Sequence, residues 1–287
     1  MLRSVALPFG VSIAALSLAQ GAVVALPRAV RFAALDAFRD RRWAVVPPLS
    51  VIAFVFIARA AEHASSKALT YLALVAVPLL AALALAALVR GGRPALALLA
   101  VPLFALAWAD RSGLAGEAAA VALSALSCAA LGAIIASVTP ALWLAAGIVA
   151  MAVADTALVV SEQLQKPNSV LNAAHPAAGL PRLQSAVFGS AVMGYGDLFI
   201  AGAFGGLLAV HFARRAQLRG AALTAAIALC FDLLFLFVDE LPATVPVALA
   251  LIALVALRRR ARAPRAGTAG DAQAAPRPAV LRASRPG

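Results

Sequence analysis

Charge of either sign is scarce in this chain. Only 13% of its 287 residues are Asp, Glu, Lys or Arg, about half the share of a soluble domain. With 64% of residues hydrophobic and a mean hydropathy of +0.96, there is too little polar surface to clothe a water-soluble fold. Cysteine is nearly missing as well. Cys128 and Cys230 both lie inside apolar runs, which excludes a disulfide framework or a thiolate metal centre and leaves small core residues as the expectation. No small-residue cleavage site of the A-x-A kind precedes residue 30, so the first apolar segment is expected to be a retained span. No internal repeat is visible, and an inverted-repeat transporter gains no support from that side.

What the chain has instead is a series of long uncharged runs separated by short arginine-bearing segments. A bilayer-spanning helix needs about 20 mostly apolar residues. Nine runs qualify, at 5–26, 43–60, 68–89, 94–109, 114–136, 138–160, 186–212, 220–238 and 241–257. The expected architecture is an all-α, polytopic membrane helix bundle. It divides into an N-terminal five-span half at 1–137, a second half with spans six to nine at 138–257, and a disordered basic tail at 258–287.

The net charge of +12 is then a record of topology, not a nucleic-acid footprint. With nine spans the termini face opposite sides. Placing the N-terminus outside puts fifteen basic residues in cytoplasmic segments and six in external ones. The positive-inside rule therefore sets the C-terminus in the cytoplasm. Arginine and alanine dominate in the manner of a GC-rich bacterial genome, so a bacterial plasma membrane is the expected location.

Against this background a few acids need explaining. Glu117 sits near a span end, and Asp232 is read as a bundle residue capped by a neighbour. Asp155, in "WLAAGIVAMAVADTALVV", and Asp197, in "VMGYGDLFIAGAFGGLLA", lie within spans six and seven. Intramembrane acids are rare and face bundle interiors or aqueous cavities, so function is the default expectation. The two spans are antiparallel neighbours. Asp155 lies five residues, or about 8 Å, from the outer end of its helix. Asp197 reaches that depth if the next helix enters near residues 188–192, with "HPAAGLPRLQS" (175–185) as loop or re-entrant chain.

Two carboxyls within a few ångströms share a proton and titrate as a unit. One can then act as base on a water and the other as acid toward a carbonyl oxygen. Gly194 and Gly196 are expected to let the partner helix come close. The same two acids also suit a proton or cation relay, or simple structural hydrogen bonding. Spacing alone leaves these open.

"GYGD" (194–197) has the form GxGD and resembles the seventh span of the presenilin and signal peptide peptidase family, the GxGD intramembrane aspartyl proteases. Asp155 stands one span earlier, where that family keeps its other catalytic aspartate, and the 42-residue separation is like that of the signal peptide peptidases. "LPATVPVAL" (241–249) stands where the family carries a Pro-Ala-Leu motif. Pro242 and Ala243 match, and Thr244 replaces the leucine. Ala154 stands where the family usually has tyrosine. The resemblance covers residues 140–257 and implies a nine-span fold and an aspartic endopeptidase. Asp155 and Asp197 would be catalytic, Gly194, Tyr195 and Gly196 would shape the cleft, and Pro242, Ala243 and Thr244 would position substrate. No metal or cofactor is implied. The implied partners are a transmembrane peptide or remnant signal peptide and the bilayer. An exposed edge near 185–193 could hold an unwound substrate by strand addition.

A second family is similar at one point. Prepilin peptidases can also read "MGYGD", but they typically carry a lysine two residues after the aspartate, where this chain has Phe199. "QKPNSVL" (165–171) only echoes their other motif.

Overall fold

The computed structural model describes residues 7–30, 62–160, 180–238 and 241–262. Eight α-helices run through them: α1 (Phe9–Ala25), α2 (Glu62–Leu83), α3 (Ala100–Ala109), α4 (Leu114–Val138), α5 (Ala141–Val160), α6 (Tyr195–His211), α7 (Arg214–Asp232) and α8 (Val245–Arg262). A π-helical turn, Ala84–Leu88, extends α2, and 3-10 turns at Pro94–Leu99 and Leu233–Leu236 precede α3 and follow α7. One antiparallel hairpin, β1 (Ser185–Phe188) and β2 (Ala191–Gly194), leads into α6.

Local chemistry sets these boundaries. Pro140 stands immediately before α5, and its carbonyl accepts the first helical bond from Leu144 N–H at 3.1 Å. A proline lacks the N–H that a helix start would leave unused. The hairpin closes on the two-residue turn Gly189-Ser190, with Gly189 at φ +59°, a conformation tight hairpin turns require and glycine adopts without strain.

The hairpin corrects two expectations. The described fold is mostly helical but not all-α, and the run 186–212 is not one helix. Its first nine residues belong to the hairpin, two strands and their turn, and the helix begins at Tyr195. The run 94–109 is likewise broken into a 3-10 turn and a short helix. The last helix continues to Arg262, so residues 258–262 belong to it and not to a tail. The run 43–60, the segment 165–171 and the chain beyond 262 lie outside the described residues.

Among the described residues three stretches are long and apolar enough to cross a membrane: Thr70–Leu88, Leu114–Val138 and Arg214–Leu236. Five further apolar helices are shorter. Their outer faces are greasy. Tyr71, Leu72, Val75 and Leu79 of α2 and Leu142, Trp143 and Val153 of α5 are all exposed. Continuous apolar surface of this kind calls for a membrane or another partner to cover it.

At the centre stands α6, packed on α4, α1, α7, α5 and α8. Every residue from Leu198 to Ala209 except Phe199 is buried, as expected of a helix that is hydrophobic all round. Backbones meet directly along α4 and α6. A side chain at Gly132 would collide with the Gly202 carbonyl, one at Gly202 with the Cys128 carbonyl, and one at Gly206 with the Gly132 carbonyl. Small residues at such crossings let helices associate through close van der Waals contact.

Candidate active site

The hairpin and the start of α6 are braced from two sides. Glu117, in the first turn of α4, accepts a hydrogen bond from the Gly189 N–H at 2.7 Å, and Ser12 of α1 accepts one from Ser190 N–H at 3.2 Å. Farther along α4, Ser127 and Cys128 face the GYGD segment. Ser127 gives its proton to the Ser124 carbonyl at 2.8 Å, so the Tyr195 hydroxyl donates to Ser127 at 2.8 Å. The Cys128 thiol points at the Tyr195 carbonyl at 3.8 Å. Cys128 is the small buried residue expected, whereas Cys230 is exposed.

This bracing fixes where Asp197 starts its helix. It occupies the third position of α6, and its Oδ2 accepts the Gly194 N–H at 3.0 Å. The carboxylate thus caps the helix it belongs to, a favourable place for negative charge. Gly194 serves as the extended N-cap. A side chain at Gly196 would meet nothing within 4 Å. Gly196 therefore borders open space beside Asp197 and is not a close-approach point between helices. That role belongs to Gly132, Gly202 and Gly206.

Asp155 comes from α5 and meets the turn before α8. Its Oδ2 accepts the Thr244 hydroxyl at 2.6 Å and the Thr244 N–H at 3.4 Å. Thr244 is buried, as is Pro242. The residue that departs from the family pattern thus gives its side-chain hydroxyl to one of the two acids, a bond a leucine side chain could not make. The charge of Asp155 also bears on Asp197. Among the described residues, every hydrogen bond to either carboxyl falls on Oδ2, leaving each Oδ1 for a water or substrate.

Sequence inspection missed Gln20. This fully buried residue of α1 donates from Nε2 to the Ala243 carbonyl at 2.7 Å and to the Asp197 carbonyl at 3.5 Å. It thereby ties the Pro242–Thr244 turn to the first turn of α6. Its Oε1 is buried without a partner among the described residues, an expensive state for an amide oxygen. The signal was available: apart from two serines, Gln20 is the sole polar side chain of the apolar helix α1, and a buried amide, like a buried acid, needs partners. Asp232, read as capped by a neighbour, accepts the Ser17 hydroxyl on Oδ1 at 3.1 Å, while its Oδ2 has no described partner.

All the sequence-nominated residues therefore gather in one place. Asp155 touches Thr244, Asp197 touches Gly194, Tyr195 anchors the segment to α4, and Gln20 joins Asp197 to Ala243. Among the described residues no three His, Cys, Asp or Glu side chains group as metal ligands would. Fold and site together define a mostly helical protein, with three candidate membrane spans, that carries two interacting carboxyls. Compared with protein-family models, curated proteins and solved structures, the chain matches none. What the site does is therefore argued from its own residues.

Proposed function

We propose that the protein is an intramembrane aspartyl protease of the GxGD type. In this role Asp155 and Asp197 share one proton and activate a water for attack on a peptide carbonyl. The observation that supports it best is convergence. Three segments far apart in sequence, at 155, 194–197 and 242–244, meet around two carboxyls whose Oδ1 atoms are uncommitted. The ionised acid takes the proton of the water, and the protonated one donates to the carbonyl oxygen. Thr244 orients Asp155, and the Gly194 N–H orients Asp197. The open space beside Gly196 offers room for an unwound stretch of substrate. The hairpin edge is the place for that stretch to pair as an added strand.

The substrates proposed are transmembrane helices or remnant signal peptides, and the setting is a membrane with the C-terminus cytoplasmic. That orientation draws on the charge count. It is also in keeping with the gathering of Arg28, Arg90 and Arg214 around the ends of α1, α2 and α6.

The test is cleavage of a model signal-peptide helix by the purified protein in detergent. Wild type is expected to cut, and Asp155→Asn and Asp197→Asn each to abolish cutting while melting like wild type. Full cleavage by either variant would sink the proposal. Proton or cation flux in proteoliposomes, lost in both variants with no cleavage by wild type, would favour a relay instead.

A further inference from the structure

About 12 Å along α6 from Asp197, at the level of Gly205, a buried amide gathers two guanidinium groups. Gln217, in the first turn of α7, is fully buried. The two N–H groups of its Nε2 are shared among the carbonyls of Val24, Pro27 and Gly205 at 3.1, 2.8 and 3.3 Å, which locks the amide with Oε1 turned the other way. That one oxygen accepts from Arg90 Nε at 3.1 Å, from Arg90 Nη2 at 3.0 Å and from Arg214 Nη1 at 2.8 Å. Arg214 Nη1 also donates to the Ala25 carbonyl at 2.7 Å. Arg90 is held in place by a short backbone pairing in which Arg90 N–H donates to the Leu26 carbonyl and Arg28 N–H to the Leu88 carbonyl.

Two cations are thus fixed on one neutral acceptor, close enough to repel each other. A carboxylate would be the ordinary remedy, but among the described residues none bonds to either arginine. Each guanidinium has five N–H groups, and the contacts above use two of Arg90 and two of Arg214. Among the described residues the other three on each have no hydrogen-bond partner. The start of α7 adds to the positive field, for it has no side-chain cap and no acid in its first turn. Paired guanidinium forks match the oxygens of a phosphate.

We propose that Arg90 and Arg214 form a binding site for a phosphate group, supplied by the headgroup of an anionic phospholipid. The lipid source is favoured because the site lies at the end of a candidate membrane span, and Leu218, next to Gln217, is an exposed apolar residue against which an acyl chain can lie. The site stands or falls independently of the protease proposal.

The experiment measures lipid retention by native mass spectrometry, and melting temperature, on the full chain in detergent. Phosphatidylglycerol, phosphatidylcholine and inorganic phosphate are the three additions. Phosphatidylglycerol alone is expected to be retained and to raise the melting temperature. Retention is expected to fall about five-fold for each of Arg90→Gln and Arg214→Gln, the value of one arginine near an anionic surface. Arg90→Lys keeps the charge but loses the Nε/Nη2 fork, and should fall between. Unchanged retention in Arg90→Gln would overturn the site. So would an equal loss in Arg215→Gln, an exposed neighbour on the same helix, because that would mark a diffuse surface charge. Equal protection by inorganic phosphate would overturn the lipid as its source.

Discussion

The two acids stand on helices that differ in almost every respect but chemistry. Asp197 belongs to α6, which is enclosed by five other helices and pressed backbone to backbone against α4. Asp155 belongs to α5, which packs on α6 and α8 and leaves Leu142, Trp143 and Val153 exposed. One carboxyl is set on an enclosed helix and the other on a helix with an exposed apolar face. Under the proposed function this contrast would divide the labour: α6 would supply the fixed reference, and α5 with the Thr244 turn would be the part that shifts to admit a helix from the membrane. Regions with few buried contacts open at lower cost than a packed core.

The largest expected effect tests whether the two helices nonetheless serve one reaction. Asp197→Asn and Asp155→Asn should each lower cleavage by at least ~10³-fold, the scale of a lost acid or base, although they stand on such different supports. A surviving rate in Asp155→Asn, measured as kcat on a model helix, would separate them. Next in size is a break in the rigid side. Gly202→Ala places a methyl against the Cys128 carbonyl and should destabilise the fold by about 1–3 kcal/mol, read by thermal melting in detergent. Thr244→Val leaves Asp155 without its hydroxyl partner and should reduce kcat roughly ten-fold, less than a full charged hydrogen bond would allow. Thr244→Ser should retain most activity. The smallest effect has the opposite sign. A side chain at Gly147 on α5 meets nothing within 4 Å, so Gly147→Ala should stabilise by up to about 1 kcal/mol through helix propensity. If Gly147→Ala were as damaging as Gly202→Ala, α5 would not be the loose side.

Much of this was legible in the sequence because membrane helices are coded by composition, and because an acid in an apolar run has few uses. Asp155 and Asp197 could be nominated as acids inside apolar runs, whereas Pro242, Ala243 and Thr244 were nominated only through the resemblance to the GxGD proteases. The hairpin was hidden in an apolar stretch, yet Gly189-Ser190 between two short runs is a recognisable turn signal, and weight given to run length obscured it. The role of Gly196 could not be read at all. A glycine that opens space and a glycine that closes it look alike until the neighbouring helix is in place, and the closing ones proved to be Gly132, Gly202 and Gly206. Gln20 escaped because only carboxylates were counted as costly.

The arginine-laden end has a consequence for the lifetime of the molecule. The described helix ends and turns carry Arg28, Arg90, Arg93, Arg214, Arg215, Arg219 and Arg258. To turn over in a bilayer the protein would have to drag all of them through hydrocarbon. At about 3 kcal/mol each, that barrier is on the order of 20 kcal/mol, before any loop is counted. For a chain that spans a membrane, insertion would then be a decision taken once. Whichever leaflet Asp155 and Asp197 lay nearest at synthesis would be the one they faced until the chain was degraded.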